Sequence, residues 1–215
     1  MKVLSICVGR PREVEWRGKT VLTSIFKTPI SHRVQVGGEN LEGDEQSDLT
    51  VHGGPEKAVY VYPAEHYPYW RRELPDAELP WGAFGENLTT EGLLEDEVWI
   101  GDRFRIGSAE FLVTQPRMPC YKLGVRFNRP DMVKRFHLSR RNGFYLAVGK
   151  PGEVGVGDVI ERLARDERRL TVSDVVALYG TDDENQPLLE RASEHPGLPE
   201  SWREYFRQRR WGPDG

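Results

Sequence analysis

Along the first two-thirds of the chain, apolar and β-branched residues come in short runs. These are Val3–Val8, Thr20–Lys27, Lys57–Tyr62, Arg103–Ile106, Glu110–Gln115, Phe144–Val148 and Val159–Leu163, each bounded by Gly, Pro or Asp. Runs of this length and composition read as strands. Two of them open alike, with Ile100-Gly101-Asp102 and Val156-Gly157-Asp158 as turn signals before an apolar alternation. Many short strands joined by Gly-rich turns predict a barrel or a sandwich. Helical spacing interrupts the pattern at Ala64–Leu74 and Pro130–His137, with Pro63 and Pro130 placed for first helical turns.

The pattern changes after Leu163. Arg165-Asp166-Glu167-Arg168-Arg169 is a charged run that reads as a solvated linker. Thr171-Val172-Ser173-Asp174 has the composition of a helix N-terminus with an acid at its third position. Val175, Val176, Leu178 and Tyr179 then form an apolar helical face that Gly180 stops. Pro187–Ser193 and Pro199–Arg210 predict two further short helices. The fold class expected is mainly β (α+β): a β-barrel with small peripheral helices over residues 1–164, then a small C-terminal helical bundle over 165–215.

Composition narrows the function classes. The 215 residues carry a formal net charge of −4, which argues against nucleic-acid binding through bulk charge. The 2 cysteines, Cys7 and Cys120, are too few for a secreted disulfide scaffold. The N-terminal apolar run is too short for a signal peptide, and no run is long enough to span a membrane. A cytoplasmic protein is expected.

Three segments concentrate chemistry. Glu42-Gly43-Asp44-Glu45-Gln46-Ser47-Asp48-Leu49-Thr50-Val51-His52-Gly53-Gly54 is dense in acids and glycine. Its Gly53-Gly54 pair suits close approach of backbone N–H groups to an anion, and Asp44, Asp48 and His52 are metal-ligand types. It reads equally as a polar surface turn. Gly82-Ala83-Phe84-Gly85-Glu86-Asn87-Leu88 can present Asn87 to a polar ligand, or can be an Asx-stabilised loop. Gln115-Pro116-Arg117-Met118-Pro119-Cys120-Tyr121-Lys122 follows a strand, is stiffened by two prolines, and sets one thiol between two cations. Flanking cations favour thiolate, the form that ligates soft metals. Cys7, inside an apolar strand, reads as core. Lys27, Thr28 and Arg33, near a strand end, are further candidates for an anionic group. The aromatics Tyr60, Tyr62, Tyr67, Tyr69 and Trp70 read as core.

Glu42-Gly43-Asp44, His52-Gly53-Gly54, Gly85-Glu86-Asn87-Leu88 and Gln115-Pro116-Arg117-x-Pro119-Cys120 occur in this order and spacing. Together they resemble the motifs of the MOSC domain, the family named after the C-terminal domain of molybdenum cofactor sulfurases. Lys57-Ala58-Val59-x-x-Tyr62-Pro63 and the terminal helices are similar to its YiiM-type branch. The resemblance implies a MOSC-type barrel with molybdopterin in a basic cleft and Cys120 as the ligand to molybdenum. It implies Lys27, Thr28, Arg33, Gly53, Gly54, Gln115, Arg117 and Lys122 as cofactor-binding candidates, with His52 and Asn87 acting on substrate. The implied activity is reduction of N-hydroxylated compounds, such as hydroxylaminopurine-type bases. With no dinucleotide motif and no cysteine cluster for iron–sulfur ligation, electrons are expected from an external reductase protein. Pyridoxal phosphate is not expected. The rival readings are a metal hydrolase built on Asp44, Asp48 and His52, a sulfur carrier using a Cys120 persulfide, and a cofactor-binding protein without turnover.

Overall fold

A computed structural model describes residues 1–47, 53–179 and 185–211 of the chain. The strands are β1 (Lys2–Val8), β2 (Arg12–Trp16), β3 (Lys19–Thr23), β4 (Thr28–Ile30), β5 (Val34–Val36), β6 (Val59–Pro63), β7 (Leu88–Glu91), β8 (Arg103–Ile106), β9 (Ala109–Pro116), β10 (Phe144–Lys150), β11 (Gly152–Val154) and β12 (Ile160–Ala164). Eight of them form one sheet in the order β12-β8-β9-β10-β6-β7-β1-β4. Its pairs are antiparallel except β6 with β7. β1 also reaches back to the segment entering β12: Val3 N donates to Asp158 O (3.0 Å), Gly157 N to Val3 O (2.9 Å) and Ile160 N to Met1 O (3.0 Å). These bonds draw the curled sheet round towards a barrel, and the expected mainly β fold with helices is the one observed.

The helices are α1 (Tyr67–Glu73), α2 (Tyr121–Phe127), α3 (Met132–Ser139), α4 (Val172–Leu178), α5 (Gln186–Glu194) and α6 (Glu200–Trp211). One apolar cluster fills the sheet and continues without a break into the last three, through Val172, Val175, Leu178, Leu189, Trp202 and Phe206. A second cluster lies under α1 and α3 and is mostly aromatic. There Trp70 and Phe136 stack at 5.5 Å, and the Trp70 indole donates to the Tyr62 hydroxyl at 2.6 Å. Tyr60, Tyr62, Tyr67 and Trp70 are buried, and Tyr69 packs against them partly exposed.

Four strands stand outside this sheet, as the pairs β5 with β11 and β2 with β3. β2 and β3 form a hairpin whose central residues, Arg17 and Gly18, are both at positive φ (53° and 74°). A two-residue hairpin loop that twists with its strands needs this. The hairpin docks through Trp16, whose ring lies over α2 at Gly124. A Cβ there would stand 3.3 Å from the ring.

Candidate functional site

β9 ends at Pro116 and delivers Arg117–Cys120 to the rim of an open cleft. Lys27, Asp44, Lys57, Tyr60, Phe84, Asn87, Arg117, Cys120, Lys122 and Tyr145 all line it. Six segments far apart in sequence thus meet at one place, and three of them belong to the chemistry-bearing segments singled out above. Cys120 sits in extended backbone (φ −122°, ψ 169°) as the residue that starts α2, and is partly exposed.

The loop before Cys120 is clamped on both sides. Arg117 N donates to Gly143 O at 3.1 Å, and Asn142 Nδ2 donates to Arg117 O at 3.0 Å. The clamp is itself held: Gly143 N donates to Glu95 Oε1 at 2.7 Å, and the Tyr60 hydroxyl donates to Asn142 O at 2.8 Å. Glu95 is buried and pairs with His66 Nε2 at 2.7 Å. Gly143 has φ +61°, and a side chain there would collide with the Val61 carbonyl, so the position requires glycine.

Arg117 is 5% exposed. Its guanidinium lies 5.5 Å from the Tyr60 ring and 5.1 Å from that of Phe136. Its Nη1 is buried with no hydrogen-bond partner. A buried unpaired donor on a charged group is costly, so such an atom on the wall of a cleft suits an acceptor-bearing ligand. Lys122 Nζ donates to Ser47 Oγ at 2.9 Å. Lys57 also faces the cleft, and burial holds its ammonium below the usual lysine range.

The acid of the first motif serves the wall. Asp44 accepts from Gly9 N (2.8 Å), Asn87 Nδ2 (2.8 Å) and Lys27 Nζ, which lies 2.6 Å from Oδ2. Asn87 Oδ1 in turn accepts from Tyr60 N at 3.0 Å. Asn87 therefore ties β1, β6 and the Asp44 loop together at the cleft floor. Glu86 is fully buried and accepts from Gly82 N (2.9 Å), Phe84 N (3.0 Å), Thr89 Oγ1 (3.0 Å) and the Tyr67 hydroxyl.

Other candidates lie elsewhere. Arg33 is turned to Asp158 (2.9 and 3.0 Å) and does not line the cleft. Thr28 lies exposed on β4 beside Val8, also away from the lining. Gln115 is buried behind the cleft, where its Oε1 accepts from the Trp202 indole at 2.7 Å. Gly54, at φ +99°, precedes a 3₁₀ turn, Pro55–Lys57, and neither it nor Gly53 lines the cleft. Asp48 and His52 lie outside the described residues. Among the described residues no three His, Cys, Asp or Glu side chains gather as a metal set, and no helix is long and apolar enough to cross a membrane. Cys7 is fully buried, and desolvation pushes its thiol up to about 12, as fits a core position.

Lys57 and Tyr145 are cleft residues not predicted as such. Tyr145 comes to the cleft because β10 pairs with β9, which sets it opposite Gln115, and Lys57 comes from the 3₁₀ turn that precedes β6; neither pairing is visible in the local sequence.

The MOSC domain family matches residues 48–161, and the YiiM-like 3-alpha helix domain matches residues 170–210. The Bacillus subtilis (strain 168) protein YflK is 43% identical over 208 residues, covering 97% of this chain and 94% of that one. A protein named "Reductase" from Gibberella moniliformis is 32% identical over 197 residues, covering 90% of this chain but only 35% of its own length. The crystal structure of YiiM from Geobacillus stearothermophilus superposes with a TM-score of 0.82 at 33% identity, covering 97% of this chain and 98% of that one.

Proposed function

We propose that this chain, which belongs to the MOSC domain family and carries a YiiM-like three-helix domain, is a molybdenum-cofactor-dependent reductase of N-hydroxylated compounds. The family supports a molybdenum-cofactor-associated function in general, and the fungal relative's name supports reduction. The observation that carries the finer reading is the juxtaposition in one cleft of a partly exposed thiol, Cys120, with the buried, unpaired Nη1 of Arg117.

The residues present fit the cofactor. Cys120 would supply a soft thiolate to molybdenum, and Arg117, Lys122 and Lys57 would face the anionic cofactor. The bound group would supply oxygen-atom abstraction from the N–O bond. The chain's own work is to hold and to exclude. The Gly143–Asn142 clamp fixes the Cys120 loop, while Phe84, Tyr60 and Tyr145 keep the wall behind it apolar. Lys57, whose ammonium burial holds below the usual lysine range, lines the same cleft and would be available there as a proton donor. Electrons would come from a separate donor protein.

The test is metal and pterin content of the wild type and Cys120→Ala, both purified anaerobically from a molybdate-fed host, with turnover of 6-hydroxylaminopurine by reduced viologen. Cofactor and turnover in the wild type, both lost in a folded Cys120→Ala, are expected. Cofactor absent from both proteins sinks this reading in favour of a persulfide carrier. Cofactor present in the wild type without turnover leaves a binding protein.

A further inference from the structure

Beside the cleft lies a second, open depression between the β2–β3 hairpin and the start of α2. Ser47 and Lys122, joined by their hydrogen bond, line both and form the border between them, and Tyr121 of the second directly follows Cys120 of the first. Its walls carry Trp16 on the hairpin, Tyr121 directly after Cys120, and Leu22. Tyr121 is 54% exposed and Leu22 is 50% exposed, two of the few large apolar side chains left open to solvent. Exposed aromatics beside a reactive centre have a desolvation benefit waiting for a partner. The charged residues on the lining, Arg17, Lys19 and Lys122, are all cations, which disfavours a positively charged occupant.

We propose that this groove binds the planar heteroaromatic ring of the substrate, stacked at Tyr121 and bordered by Trp16 and Leu22, so that its N-hydroxyl group reaches the Cys120 rim. The inference rests on the reductase reading for the reaction, but not for the binding. The groove accepts a flat, neutral or anionic ring and selects against cationic ones. It has no counterpart contact for a substrate that lacks a ring. Tyr121 is thus a specificity residue: it follows Cys120 in sequence, and its ring projects outward while the next residue, Lys122, is buried.

The experiment compares wild type, Tyr121→Ala and Tyr121→Phe as holoenzymes, with 6-hydroxylaminopurine and with hydroxylamine, which has no ring. Stacking of one base on an aromatic ring contributes enough for about a tenfold change in affinity. Tyr121→Ala is expected to lower the preference for 6-hydroxylaminopurine over hydroxylamine about tenfold, mainly through KM, and Tyr121→Phe to restore it. An equal loss with both substrates, or none with either, overturns the proposal. Calorimetric titration of the same proteins with adenine needs no turnover, and separates this idea from the reductase reading. Adenine binding weakened about tenfold in Tyr121→Ala supports the groove even if no substrate is reduced. Absence of adenine binding to the wild type, or equal binding to Tyr121→Ala, sinks it.

Discussion

The two thiols show how much local context settles at the scale of single residues. Cys7 lies in β1 with Ser5 Oγ 3.4 Å away, fully buried, its ionisation opposed by desolvation. Cys120 lies partly exposed at a cleft rim. Iodoacetamide on the native protein at pH 8 should therefore label Cys120 and leave Cys7 unmodified until denaturant is added; peptide mass spectrometry reads the outcome, and native labelling of Cys7 contradicts the packing. Arg117 gives a second prediction. A buried cation with an unpaired donor adds little to stability, and its replacement by an apolar side chain of similar volume is often neutral. Arg117→Met should change the stability of the cofactor-free protein by less than about 2 kcal/mol in urea denaturation, yet abolish cofactor retention. A large destabilisation would mean that the guanidinium is a structural brace. Cys120 and Arg117 were legible because their flanking prolines and charges are local. Arg33 was not: its partner Asp158 is 125 residues away, and one cation near a strand end looks like another in one dimension.

Elements explain why the thiol is held where it is. The sequence reads Arg117–Lys122 as a rigid loop, yet α2 begins directly after Cys120. That helix was hidden by Pro119 before it and by Gly124 within it, a residue of poor helix propensity. Gly124 is retained where the Trp16 ring and the Arg129 carbonyl crowd the backbone, at 3.3 and 3.1 Å from where a Cβ would stand. The clamp from β10 to the Cys120 loop was equally invisible, since Glu95 and His66 reach it from separate loops and turns. Glu95→Ala removes the acceptor of Gly143 N and strands the buried His66 ring. Breaking a buried hydrogen-bonded pair by deleting one partner costs about 3 kcal/mol. Glu95→Gln, which keeps an acceptor, should lose about half of that. Chemical denaturation ranks the two; equal stabilities would show that the pair does not hold the loop.

The whole molecule is more continuous than its pattern of apolar positions suggests. The start of the C-terminal helices was readable, because Thr171 and Asp174 form a reciprocal capping box visible in sequence. The charged run before them reads as a linker, but Asp166 N donates to the buried Asp102 at 3.0 Å, and Asp166 Oδ1 lies 3.4 Å from His195 Nε2. His195 has no exposed surface, and its Nδ1 accepts from Gly197 N at 3.1 Å, which requires the neutral ring. Burial accordingly holds its pKa below the ordinary value of 6.5, with Asp166 opposing. In the unfolded chain the ring protonates near 6.5, so below that pH the unfolded state binds more protons than the native one. The contribution to stability is thus complete above pH 6.5 and is lost as pH falls towards the native pKa, at a limiting slope of about 1.4 kcal/mol per pH unit. Burial moves Asp102 the other way, above the ordinary carboxylate value, so its titration lowers stability as pH rises through a more acidic window. His195→Asn can still offer an oxygen to Gly197 N but does not titrate. Thermal unfolding between pH 7 and 5 should show the wild type losing stability faster than this variant, and the two should converge as pH falls. Parallel curves would mean that the native and unfolded rings bind protons alike, and a wild type that gains on the variant as pH falls would mean that His195 is protonated in the native junction and that Asp166, not Gly197, sets its state.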